Sequence, residues 1–111
     1  MAIFSTHLLN AIDGTHADNV EIVIYKSNNN NKVLFLEDKT DSAGRMLKEF
    51  ELTKEDCESD YEMIINSGKY FRNTSEIINS ISVKFKMKDP LKKYHIPLII
   101  SPNGYSIWWS K

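Results

Sequence analysis

The chain has only three histidines and two arginines, few enough to consider each for a catalytic role. His7 lies in a segment of alternating apolar residues, and His95 stands just before an apolar run. A neutral imidazole can take a proton from water and act as a general base. Arg45 directly follows a polar turn, and its planar guanidinium could bind a carboxylate or a ureide-like oxygen through two hydrogen bonds. Together these three residues could form a general base with an anion clamp.

Each candidate also has a simpler structural interpretation. A histidine among apolar residues is usually a buried group satisfied by one hydrogen bond, and this would account for His7 and His95. The alternative for Arg45 is a surface residue at the rim of a hairpin, and Arg72 is predicted to lie on the surface. His16 follows an Asp-Gly-Thr turn and is predicted to be solvated. Because the sequence does not show which residues meet in space, a shared site is a hypothesis at this point.

The sequence lacks the motifs that identify several other enzyme classes. It contains no GxSxG, GxxxxGK[ST], GxGxxG or HExxH string, which argues against the common serine hydrolase, nucleotide-binding and zincin signatures. Its single cysteine, Cys57, excludes an intrachain disulfide, a four-cysteine zinc site and a CxxC redox pair, and favours a reducing compartment. The spacing of His7 and His95 neither requires nor excludes a metal. We expect no metal and no cofactor.

Length and composition predict a single globular domain over residues 1–111, with a hydrophobic fraction of 41% and a charged fraction of 26%. The formal net charge of -1 provides no field that would attract nucleic acid or anionic lipid. The alternating Lys84, Lys86 and Lys88 are predicted to be the solvated face of one strand.

The N-terminus lacks the basic region of a signal peptide, and no apolar run approaches the about 18 residues that span a bilayer. We expect a soluble, cytoplasmic protein that binds neither nucleic acid nor membrane.

The candidate residues must be positioned by β-strands, because alternation with a period of two residues dominates the chain. Eight strands are predicted, at residues 3–9, 20–26, 33–37, 46–52, 61–65, 80–88, 94–101 and 105–109. Asparagines at 28–31 predict one hairpin turn, and Gly44 ends another turn at an expected positive φ. Residues 67–73 are predicted as one or two helical turns with Tyr70 and Phe71 packed inward, and acidic residues 55–60 as a connection. Short strands with almost no helix indicate an antiparallel β-sandwich.

Three segments resemble the transthyretin-like family, and within it the 5-hydroxyisourate hydrolases. They are Ser5-Thr6-His7-Leu8-Leu9-Asn10, Thr40-Asp41-Ser42-Ala43-Gly44-Arg45, and a string of the form H-x-P-L-x-x-S-P-x-G-Y-S that begins at His95 and ends at Ser106. The likeness extends over essentially the whole chain and includes the Tyr70-Phe71 pair. The C-terminal string is the most specific of the three segments.

The resemblance implies an all-β fold, a transthyretin-like β-sandwich of two four-stranded sheets with one short helix. It further implies a homotetramer whose central channel carries the active sites. The reaction implied is hydrolysis of the lactam ring of 5-hydroxyisourate, a small heterocycle produced by urate oxidation. His7, Arg45 and His95 fall on the family's catalytic positions, where an imidazole would activate water and the guanidinium would hold the substrate's oxygens and the developing oxyanion.

The C-terminus departs from the family pattern. Hydrolases of the family typically end in Tyr-Arg-Gly-Ser, whereas this chain ends in Trp108-Trp109-Ser110-Lys111. The resemblance places Ser106, Trp108 and Trp109 at substrate-binding positions. Trp109 replaces the charge of an arginine with an aromatic surface, which can stack on a flat heterocycle but cannot neutralise an anion. The sequence leaves open whether Lys111 and its terminal carboxylate reach the channel.

Two further departures bear on function. Lys93 replaces the first histidine of the family's H-x-H pair, which removes a ligand of a zinc site seen in some relatives, and His16 replaces a usual proline with only a structural consequence expected.

Two function classes stay open. One is a hydrolase of 5-hydroxyisourate or of a related cyclic ureide or lactam, which the retained His7, Arg45 and His95 favour. The other is a non-catalytic protein that binds small ligands, as transthyretin does, which the altered C-terminus favours.

Overall fold

The computed structural model describes residues 1–74 and 77–109 and contains all eight predicted strands. In chain order the elements are β1 Ala2–Asn10, β2 Glu21–Asn28, β3 Asn31–Lys39, β4 Arg45–Phe50, α1 Lys54–Glu58, β5 Asp60–Ile65, α2 Ser67–Tyr70, β6 Ile81–Phe85, β7 Lys93–Ser101 and β8 Gly104–Ile107. The last strand is shorter than predicted, since Trp108 and Trp109 lie beyond its end.

The strands form two four-stranded sheets, in the orders β4-β1-β7-β8 and β3-β2-β5-β6. All pairs are antiparallel except β1 with β7, which run parallel with Ser5 opposite His95 and His7 opposite Pro97. The two predicted sheets are confirmed, but the parallel pair corrects the prediction of a purely antiparallel sandwich. Alternation shows which residues of a strand face a core, and it has the same form whichever way the neighbouring strand runs.

The core lies between the two sheets and is filled by alternate residues of each strand. In β1, the side chains of Phe4, Thr6 and Leu8 are completely buried. Phe4 stacks on Phe85 of β6 with ring centroids 4.8 Å apart, so the two sheets contact each other through aromatic rings. Since successive side chains of a strand point to opposite faces, the intervening residues of β1, including His7, lie on the outer face of their sheet.

Two predicted turns have left-handed backbone angles. Asn29 and Asn30, between β2 and β3, have φ of 50° and 67°, as expected for a two-residue hairpin turn of asparagines. Gly44 has φ of 72°, and a Cβ added there would lie 2.4 Å from the carbonyl oxygen of Leu8. Only glycine allows this turn to approach β1 so closely. The approach determines where the next residue, Arg45, joins the sheet.

The described part of the chain contains two short helices where one was predicted. α2 confirms the predicted helical turns, with Phe71 buried and Tyr70 packed against the core. α1 falls in the acidic segment 55–60, which was wrongly predicted as a connection. Its start is a capping box, in which the Thr53 hydroxyl accepts from the Asp56 amide and the Asp56 carboxylate accepts from the Thr53 amide. The helix has five residues and none is buried, so it shows no hydrophobic period.

Candidate active site

His7 and Arg45 occupy directly opposed positions in the antiparallel pair β1–β4. Side chains at such positions stand on the same face of a sheet, with Cβ atoms about 4.5–5.5 Å apart. The face is the outer one, because Thr6 and Leu8 on either side of His7 are buried in the core. His7 is half-buried and Arg45 is exposed. An imidazole and a guanidinium therefore stand side by side on the outside of this sheet.

His95 joins the same face from β7. It lies opposite Ser5 of β1, and Ser5 Oγ is hydrogen-bonded to His95 Nδ1 at 2.8 Å. On the core side of the same two strands, the Thr6 hydroxyl donates a hydrogen bond of 2.7 Å to the carbonyl oxygen of Ile96. These bonds join β1 to β7 and hold the His95 ring through Nδ1, so that Nε2 is at the far side of the ring from Ser5.

The three candidates are thus distributed over the adjacent strands β4, β1 and β7, with His7 on the middle one. Neighbouring strands lie about 4.7–4.9 Å apart. His95 lies opposite Ser5, which is two residues before His7 along β1. The charges of Arg45 and His95 both act on the His7 imidazole. The structure brings onto one sheet face three residues that are far apart in the sequence, and neither histidine is a core residue.

A third histidine joins this face. His7 Nε2 and His16 Nδ1 are 3.0 Å apart, and the planes of the two rings are inclined by 26° with their centroids separated by 5.2 Å. His16 is exposed, as the sequence predicts, but its contact with His7 was missed. The signal that could have revealed the contact is the turn at Asp13-Gly14. A turn at the end of a strand returns the following residues alongside that strand.

These surroundings lower the pKa of His7 from its usual value. Partial burial is the largest cause, because it disfavours the charged imidazolium, and the positive charge of Arg45 is the next. His16 and His95 lower the pKa further, whereas a hydrogen bond with the backbone of Ala43 opposes the decrease. The lowered pKa favours the neutral imidazole of His7, and the neutral imidazole is the form that accepts a proton.

The C-terminal candidates lie towards the opposite edge of the same sheet. Ser106 of β8 is exposed and pairs with Ile99 of β7, a position on the outer face. The backbone N–H of Trp108 donates a hydrogen bond of 3.3 Å to the carbonyl oxygen of Pro97, and Pro97 lies opposite His7. Ser106 and the backbone of Trp108 therefore extend the face that carries His7 across β7 towards β8.

Trp109 lies at the edge of the sandwich, where 63% of its surface is exposed. Together with Trp108 it lines a groove of about 420 Å³ that includes Phe85, Lys86 and Tyr94. Within one protomer the structure groups Trp109 with these edge residues and not with the imidazoles of the sheet face. The sequence could not reveal this arrangement, because the predicted final strand continued through residue 109.

Other sequence-based expectations concern Lys93, a metal site, membrane-spanning helices and the C-terminus. Lys93, at the first position of the family's H-x-H pair, is exposed at the start of β7. Across residues 1–74 and 77–109, no group of three or more His, Cys, Asp or Glu side chains could hold a metal ion. In the same part of the chain, no helix has the length and apolar composition needed to cross a membrane. Ser110 and Lys111, and with them any approach of the terminal carboxylate to the channel, lie outside the described residues.

The chain forms two packed four-stranded sheets, and one of them carries imidazoles and a guanidinium on its outer face. This arrangement defines a transthyretin-like β-sandwich with a candidate hydrolytic site. The chain belongs to the HIUase/Transthyretin family, whose family model matches residues 4–109. It is 31% identical over 108 residues to the 5-hydroxyisourate hydrolase of Salmonella dublin, which covers 96% of this chain and 79% of the relative. It is 26% identical over 110 residues to 5-hydroxyisourate hydrolase 2 of Rhizobium meliloti (strain 1021), covering 94% of this chain and 92% of the relative.

Solved structures show the same fold. The crystal structure of (S)-allantoin synthase matches with a TM-score of 0.82 and 24% identity over 99% of this chain, which spans 44% of that protein. The structure of Klebsiella pneumoniae 5-hydroxyisourate hydrolase matches with a TM-score of 0.76 and 21% identity, and the match covers 100% of both chains. These likenesses confirm the predicted transthyretin-like β-sandwich.

Proposed function

We propose that this protein is a hydrolase that opens the lactam ring of 5-hydroxyisourate or of a closely related cyclic ureide. The observation that carries the proposal is the placement of His7 opposite Arg45, with His95 on the adjoining strand of the same outer face. The relatives described above are named 5-hydroxyisourate hydrolases, which supports both the reaction class and a heterocyclic substrate. The proposed catalytic residues are His7, Arg45 and His95, and the proposed substrate contacts are Ser106, Trp108 and Trp109.

The proposed reaction requires two proton transfers and stabilisation of a negative charge. The oxygen of water bonds to the lactam carbonyl carbon while an imidazole accepts the proton that the water loses. The ring C–N bond then breaks, and the leaving nitrogen takes a proton from an imidazolium. Two imidazoles on one face can serve both transfers, and the lowered pKa of His7, which favours the neutral ring, suits the first of them. The Arg45 guanidinium can hold the substrate's oxygens and stabilise the oxyanion that forms in between.

The function is tested by producing 5-hydroxyisourate in solution with urate oxidase and following its decay with and without this protein. Acceleration in proportion to protein concentration is expected. The matched control is the double variant His7→Ala/His95→Ala at the same concentration, which should not accelerate the decay. A wild-type protein that leaves the spontaneous rate unchanged would contradict the proposal for this substrate.

The edge groove favours a second candidate function, that of a small-ligand binding protein without catalysis. Its aromatic wall of Phe85, Tyr94, Trp108 and Trp109 suits a flat heterocycle, and the neighbouring Lys86 suits an anionic substituent. This function predicts saturable quenching of the tryptophan fluorescence by urate together with an unchanged decay rate of 5-hydroxyisourate. Accelerated decay would exclude a purely non-catalytic protein.

The homotetramer expected from the resemblance is part of the proposal. The β4-β1-β7-β8 sheet leaves Leu47 exposed at 59% on its outer face, and its edge strand β8 leaves Tyr105 and Ile107 exposed at 47% and 42% on the other face. Exposed apolar side chains of this size are typical of an interface between chains. We expect light scattering at micromolar concentration to give four times the protomer mass of 12.9 kDa. A strictly monomeric protein would contradict a shared channel.

Restoring the family's C-terminal residues is expected to increase activity. If Trp109 stands at the substrate position of the usual arginine, the wild-type site lacks one charged hydrogen-bond donor, a loss of about 1.5–3 kcal/mol. Replacement of Trp108-Trp109-Ser110-Lys111 by Tyr-Arg-Gly-Ser should therefore raise kcat/KM for 5-hydroxyisourate about tenfold or more. Steady-state kinetics measure the change, with Trp108→Tyr alone as the matched control. An unchanged kcat/KM would place the terminus outside the site.

A further inference from the structure

His16 is held in place by a tight reversal of the chain at the end of β1. The Asn10 amide donates a hydrogen bond of 2.8 Å to the carbonyl oxygen of Thr15, and the Ala17 amide donates one of 2.9 Å to the carbonyl oxygen of Leu8. Ala17 is completely buried, which anchors the segment to the core. The backbone of this segment thus positions the His16 ring beside β1 independently of the ring's own contacts.

The contact of His16 with His7 constrains the protons of both rings. At 3.0 Å, the distance between His7 Nε2 and His16 Nδ1 is that of an N–H···N hydrogen bond. Such a bond needs one nitrogen with a hydrogen and one with a lone pair, so the tautomer of one ring determines that of the other. A pair in which both rings are charged would place two N–H groups against each other and would lose the bond.

Charged and titratable groups act on His7 from three directions. Arg45 approaches from β4, His95 from β7 and His16 from the turn after β1, and each disfavours the imidazolium, while the backbone of Ala43 favours it. Among the three titratable groups, His16 differs because it is the one hydrogen-bonded to the His7 ring.

We propose that His16 is a positioning residue of the active site, which through its Nδ1 fixes the orientation and the tautomer of the His7 ring. The inference rests on the proposed function, since the part of His7 in hydrolysis is itself proposed. In this arrangement the hydrogen bond keeps the His7 ring in one orientation on the sheet face.

The first experiment measures kcat/KM for 5-hydroxyisourate against pH in wild type, His16→Ala and His16→Pro. The proline variant also removes the imidazole, and it guards against misfolding of the alanine variant. Both variants should lose about tenfold in kcat/KM, the size of one net hydrogen bond. The acid limb of the profile should also move to higher pH. Removal of His16 raises the pKa of His7, so the neutral base is lost at a higher pH than in wild type.

Two matched variants separate positioning from a general effect on the turn. In His16→Asn the side-chain amide can occupy the position of Nδ1, and most of the lost kcat/KM should return. Thr15→Ala removes the 2.6 Å hydrogen bond to Asp13 from the same turn but keeps both imidazoles, and its profile should match that of wild type. The inference would be overturned by wild-type profiles in both His16→Ala and His16→Pro. A loss of rate without a shifted acid limb would also overturn it.

A second experiment needs no substrate and therefore separates this inference from the proposed function. The Cε1–H signals of the histidines are titrated by proton NMR in the presence of a chelator, with variants of each histidine for assignment. His16→Ala should raise the titration midpoint of His7, because His16 lowers the pKa of His7 in the wild-type protein. An unchanged midpoint of His7 would overturn the pairing even in an active hydrolase. A raised midpoint in a protein that does not hydrolyse 5-hydroxyisourate would retain the pairing and reject the proposed function.

Discussion

Replacement of either His7 or His95 by alanine is expected to lower kcat/KM for 5-hydroxyisourate by about 10²- to 10⁴-fold, the usual contribution of a positioned general acid or base. Each imidazole lies on the outer face of the β4-β1-β7-β8 sheet, so its loss opens no cavity in the core. Circular dichroism and the melting temperature should therefore remain close to those of wild type. Steady-state kinetics at pH 7 measure the loss of activity.

A control on the same strand distinguishes loss of a catalytic group from a change in β7. Lys93→Ala removes an exposed side chain two residues before His95 and should keep the wild-type rate. Ser5→Ala removes the 2.8 Å hydrogen bond to His95 Nδ1 and should cause a smaller loss than His95→Ala. Wild-type rates in both His7→Ala and His95→Ala would show that the proposed roles are wrong.

Replacement of Arg45 by glutamine is expected to lower kcat by about 10²- to 10³-fold, the range found when one donor to a developing oxyanion is removed. The guanidinium stands directly opposite His7, where it can contact a substrate held against that imidazole. Arg45→Lys keeps the charge but loses the planar pair of donors, and it should recover only part of the rate. Single-turnover measurements separate this effect on the chemical step from an effect on substrate binding.

The chain's other arginine provides a matched control for this prediction. Arg72 is exposed in a separate groove that includes Glu21 and Lys69, and Arg72→Gln should keep the wild-type rate. A loss of less than twofold in Arg45→Gln would contradict the proposed role of the guanidinium. Equal losses in the two variants would indicate a general effect of positive charge on the encounter with an anionic substrate, which falls as salt is added.

The elements that sequence analysis predicted correctly all have local signals. Alternation identified the eight strands, and the asparagine run with Asn29 and Asn30 identified a turn with positive φ. The sequence also indicates His7, Arg45 and His95 as candidate catalytic residues, although their roles stay a prediction. The capping box of Thr53 and Asp56 was an available signal for α1 that hydrophobic pattern analysis did not use.

The features that sequence analysis missed are contacts between separate segments. His16 was predicted to be solvated, and its exposure gives no indication of the hydrogen bond to His7. Trp109 was predicted within the last strand, but β8 ends at Ile107 and the tryptophan lies in the edge groove. In both cases the position of the side chain depends on the path of the backbone just beyond a strand. No periodic sequence pattern constrains the backbone there.

The sequence by itself determined the strands, the face that each residue presents and the sites of the turns, because these depend on residues a few positions apart. The tertiary structure decided that β1 pairs with β7 in parallel and joins Ser5 to His95 across 90 residues, and that Arg45 stands opposite His7. Registers that differ by an even number of residues leave the same alternating side chains facing the core, so alternation alone does not choose between them. The close packing of two sheets against one core selects a single arrangement, and with it the group of side chains that share one face.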